Sequence, residues 1–140
     1  MGQRIDEIMT KDLVMVPTSA SVVAAARKMR AHAIGDVLVV DGDRLCGLVT
    51  DRDIVTRVVA EDLLGSTPIA DICSEKPVTL QPDQEVGDAV VLMRAHDVRR
   101  LPVVDDDGRP VGIVTLGDLA KAQDPQSALA DISAAPPQQD

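Results

Sequence analysis

The chain has 140 residues, enough for one domain or two very small ones sharing a core. It sets 14 Lys and Arg against 23 Asp and Glu, a formal charge of −9, and contains no Phe, Tyr or Trp; this excludes an aromatic base-stacking platform and leaves too little positive charge for sequence-independent binding to nucleic acid or to an anionic membrane. No apolar run approaches the ~18 residues of a membrane-spanning helix, the start MGQRIDEIM has no signal-peptide profile, and Asp6 stands where a myristoylation signal wants Ser or Thr, so the reading is a soluble, cytoplasmic protein.

In chain order, residues 13–16 form a short extended piece. A helix follows, with Val22, Ala25, Ala26 and Met29 at the i, i+3, i+4, i+7 spacing that collects apolar side chains on one face. Ser19 is its expected N-cap. Two strands come next, residues 37–40 and 45–50, with Asp41-Gly42-Asp43 as the turn between them. A second helix begins just after Thr50, and Glu61 to Pro68 (EDLLGSTP) carries its end into a Gly-Ser-Thr-Pro linker.

The same order then runs again. Ile5, Ile8, Val14, Val22, Ala25 and Met29 recur as Ile69, Ile72, Val78, Val86, Ala89 and Met93 at a constant offset of 64, and MRAH at 29–32 returns at 93–96. One extra residue in the turn Asp105-Asp106-Asp107-Gly108 moves the offset to 65, after which GLVTDRD at 47–53 matches GIVTLGD at 112–118. The second copy predicts an extended piece at 78–80, a helix capped by Asp83 with Val86, Ala89, Val90 and Met93 on one face, strands at 101–104 and 111–115, and a helix after Thr115. The fold class is α/β, two β-α-β-β-α repeats over 5–61 and 69–122, joined by a linker at 62–68. Neither small sheet can cover both its faces alone, so the repeats are expected to pack through their sheets or share helices, with pseudo-two-fold symmetry. From 123 to 140 the chain turns to Pro, Ala, Ser, Gln and Asp and reads as a flexible tail.

Each copy carries Thr-x-x-Asp at the entrance to its second helix: Thr50 with Asp53, and Thr115 with Asp118. From spacing alone this is close to a capping box, in which Thr covers a backbone N–H and the acidic residue reaches back to the N-cap. Cys46 and Cys73 have no metal or disulfide spacing and read as small buried hydrophobes, although sequence leaves open whether they meet as a redox pair. Asp105-Asp106-Asp107-Gly108 lacks the bidentate Glu of a calcium loop and reads as a solvated turn. No nucleophile–base arrangement is visible, so no catalytic residue and no metal site is assigned, and the chain is not expected to be an enzyme.

Two β-α-β-β-α copies, each ending in Gly-hydrophobic-Val-Thr-x-x-Asp after a Val-Val-Asp strand, resemble tandem cystathionine-β-synthase (CBS) domains, the pair known as a Bateman module. The resemblance covers about residues 5–122 and leaves no further catalytic or transport domain, as in stand-alone pairs of the bacterial stress-response type. It implies a regulatory module without a required cofactor, binding an adenosyl ligand such as AMP, ADP, ATP, S-adenosylmethionine or NAD(H) in clefts where the sheets of the repeats meet. It further implies a homodimer and an unknown protein partner that receives the signal. Thr50 and Thr115 then approach ribose or phosphate, and Asp53 and Asp118 accept the ribose hydroxyls.

The chemistry suits those roles. A carboxylate accepts charge-assisted bonds from two neighbouring hydroxyls, and a Thr at a helix entrance sits beside unpaired N–H groups and the positive end of the helix dipole. Arg52, in the exposed first turn, can reach a phosphate. His32 and His96 end equivalent helices, where an imidazole either meets a ligand phosphate or serves the helix C-terminus. Arg99-Arg100 replaces Gly35-Asp36 of the first copy, so the second site is expected to favour the more phosphorylated nucleotide. The alternative is a ligand-free structural or interaction module in which both Thr-x-x-Asp motifs are helix caps.

Overall fold

The computed structural model describes residues 2–75 and 77–123. The sequence-predicted tail therefore lies outside the described residues except for Gln123, which ends the last helix. The elements are α1 (Ile5–Ile8), β1 (Met15–Pro17), α2 (Val22–His32), β2 (Asp36–Asp41), β3 (Arg44–Thr50), α3 (Asp51–Ile54) running into a π-helical turn (Val55–Val59), a 3-10 turn (Ile69–Asp71), β4 (Ser74–Glu75), α4 (Val86–His96), β5 (Arg100–Val104), β6 (Pro110–Thr115) and α5 (Leu116–Gln123). The α/β class is present; the β-α-β-β-α order is complete in the first copy, and the second runs α-β-β-α after a single bridging residue, Leu80. The short elements α1, the 3-10 turn and β4 are additions that the repeat pattern did not predict.

Both long helices form where the apolar spacing puts them, burying Val22, Ala25 and Met29 on α2 and Val86, Ala89 and Met93 on α4. Their starts differ from the sequence reading. The α2 cap is Ser21, not Ser19, and its hydroxyl accepts the Ala24 N–H at 3.1 Å. At α4 the N-cap is Glu85, not Asp83, and the Asp88 carboxylate accepts the Glu85 N–H at 3.0 Å. The reason is tertiary: the first helical N–H groups, which have no intrahelical partner, are taken by carbonyls from distant chain. Val22 donates to Thr67 O at 2.8 Å and Val23 to Gly65 O at 3.0 Å, while Val86 donates to Gln3 O at 2.9 Å.

Those bonds expose an exchange between the repeats. The start of the first repeat fastens to the entrance of the second repeat's helix, through Ile5 N–H to Gln84 O at 2.8 Å and a bridge from Arg4 to Glu85. The end of the linker and the start of the second repeat fasten to the entrance of the first repeat's helix, through Ile69 N–H to Ala20 O at 2.7 Å and a bridge from Pro68 to Ser21. Each contact is the other displaced by 64 residues. The chain accordingly forms two compact units that are not its two sequence repeats: one is Val14–Pro77, and the other joins the residues up to Leu13 with the described residues from Val78 onward.

Each unit has its own core. In the first, Val16, Val22, Ala25, Met29, Val37, Val39, Val49 and Val58 pack with Ile69, Ile72 and Cys73. In the second, Ile5 packs with Leu80, Val86, Ala89, Met93, Leu101, Val103, Val114 and Leu119. Without aromatic residues, both cores depend on branched aliphatics that fit a pleated surface.

The sheet of the first unit has the order β1-β2-β3-β4, with β1 parallel to β2 and the remaining pairs antiparallel. In the second unit the β5–β6 hairpin is flanked by single bridges, Leu80 to Val103 and Thr10 to Ile113. The expected strand at 78–80 is thus reduced to one bridging residue. Both hairpins turn on a glycine with positive φ, Gly42 at 65° and Gly108 at 81°, where a Cβ would be strained.

The strand register also separates the two cysteines. Gly47 pairs with Glu75 and Leu48 with Ser74, so Cys73 falls level with Val49, three places from Cys46. That is about 10 Å of strand, beyond the ~7 Å limit for bridging. Cys73 instead joins the core, as the sequence reading had it, and its thiol faces the Ala70 carbonyl at 3.9 Å. Among the described residues no helix is long and apolar enough to cross a membrane.

Candidate functional site

The two Thr-x-x-Asp motifs are built alike. A strand buried on its core face ends at Thr, the backbone turns, and a helix starts on the next residue. In the first motif the Asp53 N–H donates to Thr50 Oγ1 at 3.1 Å, and the Thr50 N–H donates to Asp53 Oδ2 at 2.9 Å. In the second the Asp118 N–H donates to Thr115 Oγ1 at 3.1 Å, and the Thr115 N–H donates to Asp118 Oδ2 at 3.0 Å. Both are complete capping boxes. Capping uses one lone-pair site of a carboxylate that has about four, so it does not preclude further hydroxyl donors.

What surrounds each carboxylate differs. Asp53 Oδ1 faces the Arg57 guanidinium, with Nε at 3.9 Å, while Arg57 Nη1 donates to the Ile72 carbonyl at 2.8 Å. Asp118 receives the Thr10 hydroxyl, 3.2 Å from Oδ2 and 3.3 Å from Oδ1. Thr10 is held in turn by reciprocal backbone bonds with Ile113, 2.9 Å each way. Neither Thr10 nor Arg57 was singled out from sequence. The i, i+4 spacing of Asp53 and Arg57 was a visible cue, and Thr10 aligns with Ser74 as a hydroxyl in both copies, but its partner lies 108 residues away.

The arginine difference falls beside the motifs. Arg100 is the ladder partner of Thr115, and Asp36 is the ladder partner of Thr50. Opposed residues of an antiparallel pair present side chains on the same face. Asp36 is the one charged side chain in the core among the described residues, 6% exposed. Next to them, the Leu116 N–H donates to Arg99 O at 3.0 Å and the Asp51 N–H to Gly35 O at 2.9 Å. The first motif therefore has Asp36 and Asp51 where the second has Arg100 and Leu116.

The remaining predicted residues are peripheral. Arg52 is exposed in the first turn of α3, its N–H on Asp51 Oδ1 at 2.8 Å. His96 is the exposed last residue of α4, followed by Asp97 in the left-handed conformation, and makes no hydrogen bond to the motif residues. His32 ends α2 in the same way, before Ala33 at φ 53°. Both imidazoles stand where a helix C-terminus favours a basic group. Among the described residues no cluster of His, Cys, Asp and Glu has the makings of a metal site.

Comparison with known proteins agrees with this architecture. The CBS domain family model matches residues 5–60 and again 69–124. An uncharacterized protein of Methanopyrus kandleri, MK0525, is 38% identical over 121 residues, which is 85% of this chain and 62% of that one. Among solved structures, the CBS domain pair of protein MJ0100, in complex with 5-methylthioadenosine and S-adenosyl-L-methionine, is similar with a TM-score of 0.80 at 26% identity, covering 91% of this chain and 100% of that one. The CBS domain protein PAE2072 from Pyrobaculum aerophilum, complexed with AMP, gives a TM-score of 0.78 at 25% identity, covering 93% and 96%. Two family matches, in register with two complete copies of the motif-bearing unit, lead to one conclusion: this chain is a tandem pair of CBS domains and belongs to that family.

Proposed function

We propose that the protein is a non-enzymatic regulatory module that binds an adenosyl ligand at its Thr-x-x-Asp motifs and passes the occupied state to a protein partner. One observation carries the reading: in both copies the Asp is fixed by its capping box through one oxygen, leaving acceptor capacity for a pair of ribose hydroxyls. The adenosyl ligands of the related structures, AMP in one and 5-methylthioadenosine with S-adenosyl-L-methionine in another, support the ligand class. Thr50 and Thr115 would contact ribose or phosphate. Arg52, His96, Arg99 and Arg100 are candidate phosphate contacts, and the charge contrast between Arg100 and Asp36 supports a second motif that prefers more phosphates. A ligand that binds one arrangement of the chain better than another shifts the population toward it.

A homodimer is part of this reading. The exposed Val55, Val59, Leu63 and Leu64, near one another in sequence and the last 75% exposed, support it, because large exposed apolar side chains that gather together mark association sites. Function in the cytoplasm completes the proposal.

Thermal unfolding with a panel of adenine nucleotides, S-adenosylmethionine and NADH tests it. A ligand at 100 times its dissociation constant adds about 2.7 kcal/mol, and absence of any shift across the panel rejects the proposal. The capping boxes, complete without a ligand, favour one second reading, a structural interaction module whose motifs only start helices. D53A and D118A separate the two. As ligand contacts they abolish the shift; as caps they lower the unliganded midpoint and leave the shift intact.

A further inference from the structure

Arg57 links the first motif to a distant backbone. Its guanidinium lies between Asp53 Oδ1, 3.9 Å from Nε, and the Ile72 carbonyl, 2.8 Å from Nη1. Ile72 leads into β4, whose residues pair with Leu48 and Gly47 of β3, the strand that ends at Thr50. The contacts close a ring within one unit: Asp53, Arg57, Ile72, β4, β3, Thr50 and back to Asp53. Arg57 sits in the π-helical turn Val55–Val59, a geometry rare in helices and concentrated at functional sites.

The second copy lacks this ring. The position matching Arg57 is Ala122, within the regular helix α5, and Asp118 carries the neutral Thr10 hydroxyl instead. A ribose hydroxyl approaching Asp118 competes with or shares a single hydroxyl donor. One approaching Asp53 meets a carboxylate already facing a fixed cation, and taking its Oδ1 means displacing a guanidinium that also holds a backbone carbonyl.

We propose that Arg57 is an internal competitor for Asp53, making the first motif the weaker of the two adenosyl sites, and that its displacement releases the Ile72 carbonyl and so reports occupancy to the segment leading into β4. This rests on the ligand-site reading above. Arg57 is a positioning residue here: it acts on the ligand through Asp53.

The test is calorimetric titration of adenosine, which has no phosphate to attract a guanidinium, into the full chain carrying D118N, with and without R57A. Arg57 is 48% exposed, so its removal leaves the core intact, which circular dichroism verifies. R57A should tighten adenosine binding about two- to five-fold, the scale of an exposed ion pair. Amide exchange at residues 72–75 should rise on adding adenosine to D118N, and in the R57A background should be fast from the start and indifferent to adenosine. Weaker or unchanged adenosine binding in R57A, or exchange unresponsive to adenosine while Arg57 is present, overturns the proposal. If the unsubstituted chain binds no adenosyl compound, the ligand-site reading falls and this proposal falls with it. Intact binding that R57A leaves unchanged removes this proposal alone.

Discussion

The Thr10 hydroxyl donates to the Asp118 carboxylate, 3.2 and 3.3 Å from its two oxygens, across 108 residues of chain. It fastens the opening segment of the first repeat to the motif of the second. With the Thr10–Ile113 backbone pair, it places a hydroxyl donor where the ligand-site reading places a ribose.

Replacing Thr10 by Val keeps its shape and removes that donor. The expected loss is about 1 kcal/mol in urea unfolding, the usual net worth of a hydrogen bond, with the backbone pair to Ile113 retained. Adenosyl affinity at Asp118 should rise if the two hydroxyls compete, and calorimetry in a D53N background measures it.

Asp53→Ala and Asp118→Ala each remove half of a reciprocal cap. Each should lower stability by about 1 kcal/mol without ligand. If Arg57 competes for Asp53 as inferred above, D118A removes the tighter of two ligand responses and D53A the weaker. Paired thermal shifts with and without AMP give both quantities from one set of samples.

Ile5 is fully buried with Leu80 and Val86, not with the core of the repeat it begins. Ile5→Ala should cost about 2–5 kcal/mol, as for other truncations of buried aliphatics. Its effect on hydrogen exchange should fall on α4 and spare α2, while Ile69→Ala should do the reverse. Equal effects on both helices would contradict the exchanged packing.

Ala33 and Asp97 occupy the same left-handed position after α2 and α4, at φ 53° and 52°. A Cβ there is strained, less so for Asp, whose side chain tolerates the region. Ala33→Gly should therefore stabilise the chain by about 0.5–1 kcal/mol, and Asp97→Gly by less, both read from denaturant midpoints.

Much of this architecture was legible because it is local or periodic. The 3.6-residue spacing of Val22, Ala25 and Met29 marks a helix face whatever lies opposite it. The glycines of the two hairpin turns and the Thr-x-x-Asp boxes act within four residues of chain, so their chemistry is written beside them. Duplication repeated each signal and strengthened it.

The helix starts show where local reading stops. Ser19 and Ser21 are both acceptable caps, and the carbonyls of Gly65 and Thr67 decide between them by meeting the N–H groups of Val23 and Val22. By itself the sequence determined two equivalent units of strand, helix and hairpin, each with a carboxylate fixed at a helix entrance. Only the tertiary structure decided that Ile5 enters the core of the second repeat and Ile69 that of the first, that Thr10 meets Asp118, and that Arg57 bridges Asp53 to Ile72. The physical reason lies in the duplication: Ile5 and Ile69 are the same residue in near-identical surroundings, so apolar pattern fits either into either core. Which one each enters depends on long-range packing that no window of sequence contains.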